Sequence, residues 1–100
     1  MNILITSALS ARAHQVKARL TANNILLGDY NDVPAFMLTQ GKMIKLPSPQ
    51  SSSFAHQMLT LCLDNAIEVL YLLDVAEAEA LNESEQLFLE YNIEINTDEI

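Results

Sequence analysis

Short apolar runs alternate along the chain with segments that have helical spacing. The first run covers residues 3–6. In the segment 10–22 that follows it, Ala13, Val16 and Leu20 fall on one helical face. The same alternation continues and predicts five strands joined by helices. The remaining elements are strands at 25–27, 42–46, 68–73 and 92–96, and helices at 34–40, 53–65 and 75–90, the last interrupted near Asn82.

Alternating strands and helices predict a parallel sheet with helices on both faces. Right-handed crossovers and short connections favour the strand order 3-2-1-4-5. The predicted fold class is therefore α/β, with one Rossmann-like, three-layer domain over residues 1–100 and a five-stranded parallel sheet. The run 68–73 is apolar nearly throughout, as expected of a central strand. We expect its Leu70 and Leu72 to be covered by helices on opposite faces.

Polar and small residues predict where the helices begin and end. Ser7 or Ser10 is expected to cap the first helix, and the serine-rich loop 47–53 is expected to end in a cap for the third. Asn23-Asn24 should break the first helix, and Gly41 should end the second.

The charges are unevenly distributed. All five basic residues precede position 46, with two aspartates, whereas eleven carboxylates and no Lys or Arg follow, for a net charge of −8. This balance argues against nucleic-acid and anionic-lipid partners, whose binding requires basic clusters. The acidic end is either a solvated surface or a docking surface for a basic partner. No apolar stretch approaches the roughly 20 residues that span a bilayer. With Cys62 as its one cysteine, the chain is expected in a reducing, cytoplasmic setting.

The predicted topology places several polar residues at one edge of the sheet. Ligands of open α/β sheets bind beyond the carboxyl ends of the strands, near the point where the strand order reverses. The first helix would also direct N–H groups there, which suits an anion. The residues expected to bind a ligand are those that follow the first, second and fourth strands: Thr6, Ser7, Asp29, Tyr30 and Asp74.

Each candidate also has a structural interpretation. Thr6 and Ser7 are suited to cap and turn positions, Asp29 is an ordinary turn former, and Asp74 can cap a helix. Tyr30 can cover the sheet end or stack on a ligand. In the functional interpretation, Asp29 holds a hydroxyl or ammonium group while the helix N–H groups hold a carboxylate, as an amino-acid-like acceptor would require.

Motifs that carry catalysis are missing from the sequence. With Gly28 and Gly41 as the only glycines, neither a dinucleotide-binding loop nor a P-loop can form. No group of residues has zinc or iron spacing. His14 and His56 are expected on helix surfaces, and Cys62 on an apolar stripe as an inert buried thiol. We therefore predict no catalytic residue, no metal ligand and no cofactor on this chain.

Several strand-and-turn segments together follow the pattern of a known family. They are Met1-Asn-Ile-Leu-Ile-Thr-Ser-Ala8, Leu27-Gly-Asp-Tyr-Asn31 with Pro34-Ala35, Lys45-Leu-Pro-Ser-Pro49, Glu68-Val-Leu-Tyr-Leu-Leu-Asp74 and Ile93-Glu-Ile95. Over nearly its whole length the chain resembles the N-terminal pre-ATP-grasp domain of carbamoyl-phosphate-synthase-like ATP-grasp proteins. It departs from the family in the first loop, where Ala8-Leu-Ser-Ala11 stands in place of a glycine and basic residues.

The resemblance implies a non-catalytic accessory domain on the substrate side of an ATP-grasp type carboxylate ligase. The chain would be a split subunit, a fragment or a free-standing descendant, and its partner an ATP-grasp domain or subunit. ATP and magnesium would be bound only by ATP-grasp domains, which this sequence does not contain. One alternative is a stand-alone small-ligand or protein-binding module that forms a homodimer. Another is an enzyme that uses Asp29 or Asp74 with an anion held at the first helix.

Overall fold

A computed structural model of the protein describes residues 1–21, 24–39 and 43–100. It confirms the α/β fold with one five-stranded parallel sheet in the order β3-β2-β1-β4-β5. The strands are β1 (Asn2–Ile5), β2 (Asn24–Asp29), β3 (Met43–Lys45), β4 (Val69–Tyr71) and β5 (Glu94–Asn96). The helices are α1 (Ala11–Arg19), α2 (Ala35–Thr39), α3 (Phe54–Asp64), α4 (Val75–Leu81) and α5 (Glu85–Glu90).

Two apolar clusters, one on each face of the sheet, form the three layers of a Rossmann-like domain. Ala13 and Val16 of α1 pack with Ile3 and Ile5 of β1 on one face. The other cluster is larger and joins Leu4 to side chains of α3, α4 and α5. The split follows from the alternation of side chains along β1, which directs successive residues to opposite faces.

The expectation for Leu70 and Leu72 is wrong in one respect. Both side chains are fully buried, but they belong to the same cluster, on the face covered by α3, α4 and α5. Successive side chains of a strand point to opposite faces of the sheet, so residues two positions apart point to the same face. The other side of β4 carries Val69 and Tyr71, which are only half-buried.

Strand β2 is longer than predicted and includes Asp29, which had been expected to follow the strand. Asp29 pairs with Lys45 of β3, and its carbonyl accepts a hydrogen bond from Leu46 N at 2.9 Å. The pairing with β3 therefore extends the ladder as far as the aspartate. Two predicted helix ends, at Asn23 and Gly41, lie outside the described residues, as do positions 22, 40 and 42.

The predicted caps have different outcomes. Ser10 caps α1, because its Oγ accepts a hydrogen bond from Ala13 N at 3.3 Å. Ser53 occupies the corresponding position before α3, but its side chain makes no cap bond, so that prediction is wrong. The backbone N–H of Ser53 instead donates to Ser51 Oγ, which holds the loop in its own turn. The expected interruption at Asn82 is confirmed as a short 3₁₀ turn between α4 and α5.

Helices α3 and α5 end in the same way and deliver the chain to β4 and β5. Ala66 and Asn92 adopt left-handed backbone conformations, with φ of 53° and 63°. After each of them a buried isoleucine donates its N–H to a carbonyl five residues earlier, Ile67 to Cys62 at 2.8 Å and Ile93 to Phe88 at 3.0 Å. This is the Schellman arrangement, which satisfies the last carbonyls of a helix.

Gly28 is required by the packing between β2 and the chain that follows β3. A Cβ atom at this position would lie 2.7 Å from Cδ2 of the buried Leu46. The carbonyl of Gly28 also accepts a hydrogen bond from Ala8 N at 2.9 Å, which fixes the loop after β1.

Part of the acidic end contacts the chain's own basic helix. Glu99 Oε1 accepts a hydrogen bond from Arg12 Nη2 at 2.9 Å and another from Arg19 Nη2. Both arginines are exposed, so these ion pairs contribute little stability. Among the described residues, no helix is long and apolar enough to cross a membrane.

Candidate functional site

The five predicted ligand-binding residues lie together at the carboxyl ends of β1, β2 and β4, an edge that we call the carboxyl rim. The register brings these ends level, because Ile5 pairs with Leu27 on one side and with Tyr71 on the other. A hydrogen bond of 3.2 Å from Tyr30 Oη to Asp74 Oδ2 joins the residues that follow β2 and β4. The predicted convergence is therefore present in the structure.

Thr6 ties the end of β1 to the end of β4. The residue is fully buried, its N–H donates to Tyr71 O at 3.0 Å, and its Oγ1 accepts a hydrogen bond from Leu73 N at 2.9 Å. These contacts extend the strand pairing past the last ladder residues. Thr6 thus has a structural role at the floor of the rim.

Ser7 turns the chain from β1 into α1. Its φ of 55° lies in the left-handed region, which is uncommon for residues other than glycine. The Ser7 carbonyl accepts hydrogen bonds from the backbone N–H of Ser10 at 2.9 Å and from Ser10 Oγ at 2.7 Å. This turn places Ser10 where it caps α1.

Asp29 uses both carboxylate oxygens within its own chain. Its side chain is buried, at 2% exposure, and Oδ2 accepts a hydrogen bond from Leu9 N at 3.0 Å. Its Oδ1 accepts hydrogen bonds from Asn31 N at 2.9 Å and from Asn31 Nδ2 at 3.1 Å. The turn-forming interpretation of Asp29 therefore has direct support, because it holds the loops that follow β1 and β2.

Asp74 caps α4 and contacts Tyr30. Its Oδ2 accepts hydrogen bonds from Glu77 N at 3.1 Å and from Tyr30 Oη. Burial raises the pKa of Tyr30, and the negative charges of Asp74, Glu77 and Asp29 raise it further. The Tyr30 hydroxyl therefore lies in the combined field of three carboxyl groups.

Glu77 is a residue of this site that the sequence analysis missed. It is fully buried in the first turn of α4, and neither carboxylate oxygen has a hydrogen-bond partner among the described residues. Burial raises its pKa to about 7. The nearby Thr6 hydroxyl lowers this pKa, while the negative charges of Asp74 and Asp29 raise it. A buried carboxyl group without partners is energetically unfavourable when ionised.

A local sequence pattern concealed this burial. Asp74-Val-Ala-Glu77 has the spacing of a capping box, in which the glutamate bonds back to the N–H of the capping residue at the helix surface. Only half of that box forms, because Asp74 accepts the N–H of Glu77 while the Glu77 oxygens remain without partners. Helical phase was the informative signal, since Glu77 precedes the buried Leu81 by four residues and shares its face.

Four hollows of about 310 to 520 Å³ on the described surface are lined by residues other than the five predicted ones. The hollow of about 310 Å³ is lined by Val75, which follows β4, and the one of about 420 Å³ lies at the opposite, amino ends of β1 and β2, lined by Asn2 and Asn24. Within residues 1–21, 24–39 and 43–100, no group of three His, Cys, Asp or Glu side chains could hold a metal ion. The carboxyl groups of the rim are therefore not arranged as a metal centre.

The remaining titratable candidates lie away from the rim. His14 and His56 are exposed on α1 and α3, as expected. Cys62 is buried in the larger core cluster as a free thiol, and burial raises its pKa to about 12. A thiol with this pKa is an unreactive core residue at neutral pH.

Comparison with known proteins gives no assignment. No protein-family model matches the chain, and no curated protein shows significant similarity to it. The interpretation of the carboxyl rim therefore rests on its geometry.

Proposed function

We propose that this chain is a non-catalytic accessory domain whose carboxyl rim forms the substrate side of an ATP-grasp type carboxylate ligase. The observation that carries the proposal is a collection of polar groups at one rim, with exposed apolar side chains beside it. Thr6, Tyr30, Asp74 and the buried Glu77 converge there. A second domain placed over this rim would complete a closed site.

Exposed apolar side chains beside the rim support contact with a second domain. Leu9 follows β1 and is 46% exposed, and Val75 follows β4 and is 55% exposed. These residues extend from two adjacent strands at the same rim. Apolar groups at the edge of a polar site are suited to burial against a partner, because contact removes them from water.

The proposal assigns nucleotide chemistry to the partner. Phosphoryl transfer requires metal ions and cationic groups around the phosphates, whereas the groups of this rim are mainly carboxyl groups. We expect ATP and magnesium to bind to the ATP-grasp domains and not to this chain alone. The same proposal includes a cytoplasmic setting, in which the free Cys62 stays reduced.

Site-directed photo-crosslinking in cells that naturally produce the protein tests this proposal. A diazirine amino acid at Leu9 or Val75 should form an adduct with a protein that contains ATP-grasp domains, identified by mass spectrometry. Leu63 lies at the end of α3 and has the same 46% exposure as Leu9, so it serves as the control position.

Three results would contradict the proposal. They are the absence of adducts at both rim positions, equal adducts from Leu63, and adducts with a second copy of this chain. The last result would favour the alternative, a stand-alone binding module that forms a homodimer.

A further inference from the structure

We propose that the outer edge of β5 binds an extended, lysine- or arginine-rich segment of a partner protein, which adds a sixth strand to the sheet. This surface goes beyond the proposed function, because it lies at the side of the sheet, whereas the carboxyl rim lies at the ends of β1, β2 and β4. It also selects one of the two interpretations of the acidic end, a docking surface for a basic partner.

The backbone of β5 presents hydrogen-bonding groups on its outer side. Glu94 N donates to Glu68 O at 2.9 Å, and Asn96 O accepts a hydrogen bond from Leu72 N at 3.0 Å, so both residues bond toward β4. Backbone groups of successive strand residues point to opposite sides, so the N–H and C=O of Ile95 point away from β4. Within the described residues β5 is the last strand of the sheet on that side. An added strand can bond to these groups, as in other cases of peptide recognition at a sheet edge.

A hollow of about 520 Å³ adjoins this edge and is larger than the other three. It is lined by Glu85 and Leu89 of α5 and by residues 94–98 of β5 and the turn that follows. Glu85 and Leu89 are four residues apart, so they lie on the same side of α5. Leu89 is 46% exposed. The pair suits a lysine or arginine, whose aliphatic stem packs on an apolar side chain while its charged end bonds to a carboxylate.

The charges around the hollow determine which kind of segment fits. Glu85, Glu94 and Asp98 are exposed, and the ion pairs found among the described residues include none of these three carboxylates. Glu99, by contrast, is paired with arginines of α1. A basic segment therefore meets three carboxylates along the edge, whereas an acidic segment is repelled by them.

A second copy of this chain is a poorer occupant of the edge. Pairing of two β5 edges brings Glu94 and Asp98 of both copies close together, and like charges that face each other in a sheet are destabilising. The whole chain has a net charge of −8, so its copies also repel each other over longer distances. Charged side chains commonly protect sheet edges from self-association. The same carboxylates attract a basic strand.

Amide NMR of the intact chain with a defined peptide tests this proposal. The probe is Lys-Thr-Lys-Thr-Lys-Thr-Lys with blocked ends, used at about 0.15 M salt so that distant charges are screened. When extended, it carries its lysines on one face. It should shift the signals of Leu89 and Ile95 and slow hydrogen exchange of the Ile95 amide. The same peptide with methylated backbone nitrogens keeps its charge but has no backbone donors, so it should bind roughly tenfold or more weakly.

Two pairs of substitutions provide matched controls. Glu85→Lys should weaken binding by roughly tenfold, because it places a like charge against the lysines of the peptide. Leu89→Ser should weaken binding by roughly threefold through loss of an apolar contact. Glu83→Lys and Leu87→Ser change the same residue types two positions earlier, at exposed sites that do not line the hollow. Residues two apart on a helix do not face the same side, so each control should change binding by less than about twofold. The amide spectrum of each free variant verifies its fold.

The proposal is overturned if the peptide leaves the exchange of the Ile95 amide unchanged. It is also overturned if the methylated peptide binds as tightly as its parent, or if Glu83→Lys weakens binding as much as Glu85→Lys, since the attraction is then only a general one between charges. Slower exchange of the Ile95 amide at higher chain concentration without peptide would identify a second copy as the occupant and would also overturn it. The experiment requires no ATP-grasp protein, so its outcome is separate from that of the crosslinking.

Discussion

Asp29 and Glu77 are buried carboxyl groups at the same rim of one sheet, but their surroundings are opposite. Asp29, at the end of β2, accepts three hydrogen bonds from the loops beside it. Glu77, in the first turn of α4, has no hydrogen-bond partner among the described residues. Burial of a carboxyl group therefore does not by itself indicate function. A fully bonded group stabilises the fold, whereas an unbonded one reduces stability unless a proton or ligand neutralises it.

The largest effect is expected from the bonded group. Asp29→Ala removes the acceptor of Leu9 N and Asn31 N, so the free energy of unfolding should fall by about 3 kcal/mol, since a hydrogen bond to a charged group contributes roughly 1.5–3 kcal/mol. Chemical denaturation at neutral pH measures this loss. Asp32→Ala, at a fully exposed position, is the matched control and should change stability little. Equal stability of the two variants would contradict the structural role of Asp29.

Replacing the unbonded group should have the opposite sign. The pKa of Glu77, about 7 in the folded chain, exceeds its ordinary value of 4.5. Between these values the folded state binds more protons than the unfolded state, so the free energy of unfolding falls as pH rises. Above pH 7, Glu77→Gln should raise the free energy of unfolding by about 2 kcal/mol. One pKa unit corresponds to about 1.4 kcal/mol, and the cost of burying the glutamine amide offsets part of the stabilisation.

Below the ordinary pKa this advantage of Glu77→Gln should disappear, since the wild-type carboxyl group is then protonated in both states. Glu79→Gln changes an exposed glutamate on the same helix and serves as the control. Thermal denaturation over a pH series measures both variants. Destabilisation by Glu77→Gln above pH 7 would show that the ionised carboxyl group has favourable partners.

Asp74 links the two kinds of group, because it is both a helix cap and a neighbour of Glu77. Asp74→Ala should lower the free energy of unfolding by about 1 kcal/mol through loss of the cap. Asp74→Asn retains a capping oxygen and should be closer to wild type in stability. Because Asp74 raises the pKa of Glu77, the asparagine variant should also lower the Glu77 titration midpoint by NMR. An unchanged Glu77 midpoint would show that the charge of Asp74 does not affect the pKa of Glu77.

The smallest effect is expected for Tyr30, whose hydroxyl donates to Asp74. Tyr30→Phe removes one long, half-exposed hydrogen bond and should change the free energy of unfolding by roughly 0.5 kcal/mol. Chemical denaturation beside Tyr91→Phe measures this difference. A loss above roughly 1.5 kcal/mol, beyond the usual net contribution of a hydrogen bond, would show that the Tyr30 hydroxyl stabilises the fold by more than this one contact.

The fold was predictable because its signals are periodic and repeated. Apolar runs separated by helical segments, combined with right-handed crossovers, lead to the order 3-2-1-4-5. That strand order is sufficient to predict that Thr6, Asp29 and Asp74 lie at one rim. The hydrogen bonds of Asp29 could not be foreseen, because they depend on the left-handed turn at Ser7 and on the path of the loop near Leu9.

Glu77 was not predicted, because two local rules compete at its position. The Asp-x-x-Glu spacing favours a glutamate at the helix surface, whereas the helical phase shared with Leu81 directs it inward. Tertiary packing of α4 against the sheet decides in favour of burial. The residue with the most functional interest is thus the one at which local and tertiary signals disagree.

An NMR pH titration of the Glu77 carboxyl signal in the intact chain tests the central claim most directly. The account predicts a midpoint near 7, because burial and the negative charges of Asp74 and Asp29 outweigh the opposing effect of the Thr6 hydroxyl. A midpoint near 4.5, the ordinary value, would contradict it. Glu77 would then be solvated or paired in solution, and its contrast with the fully bonded Asp29 would not hold.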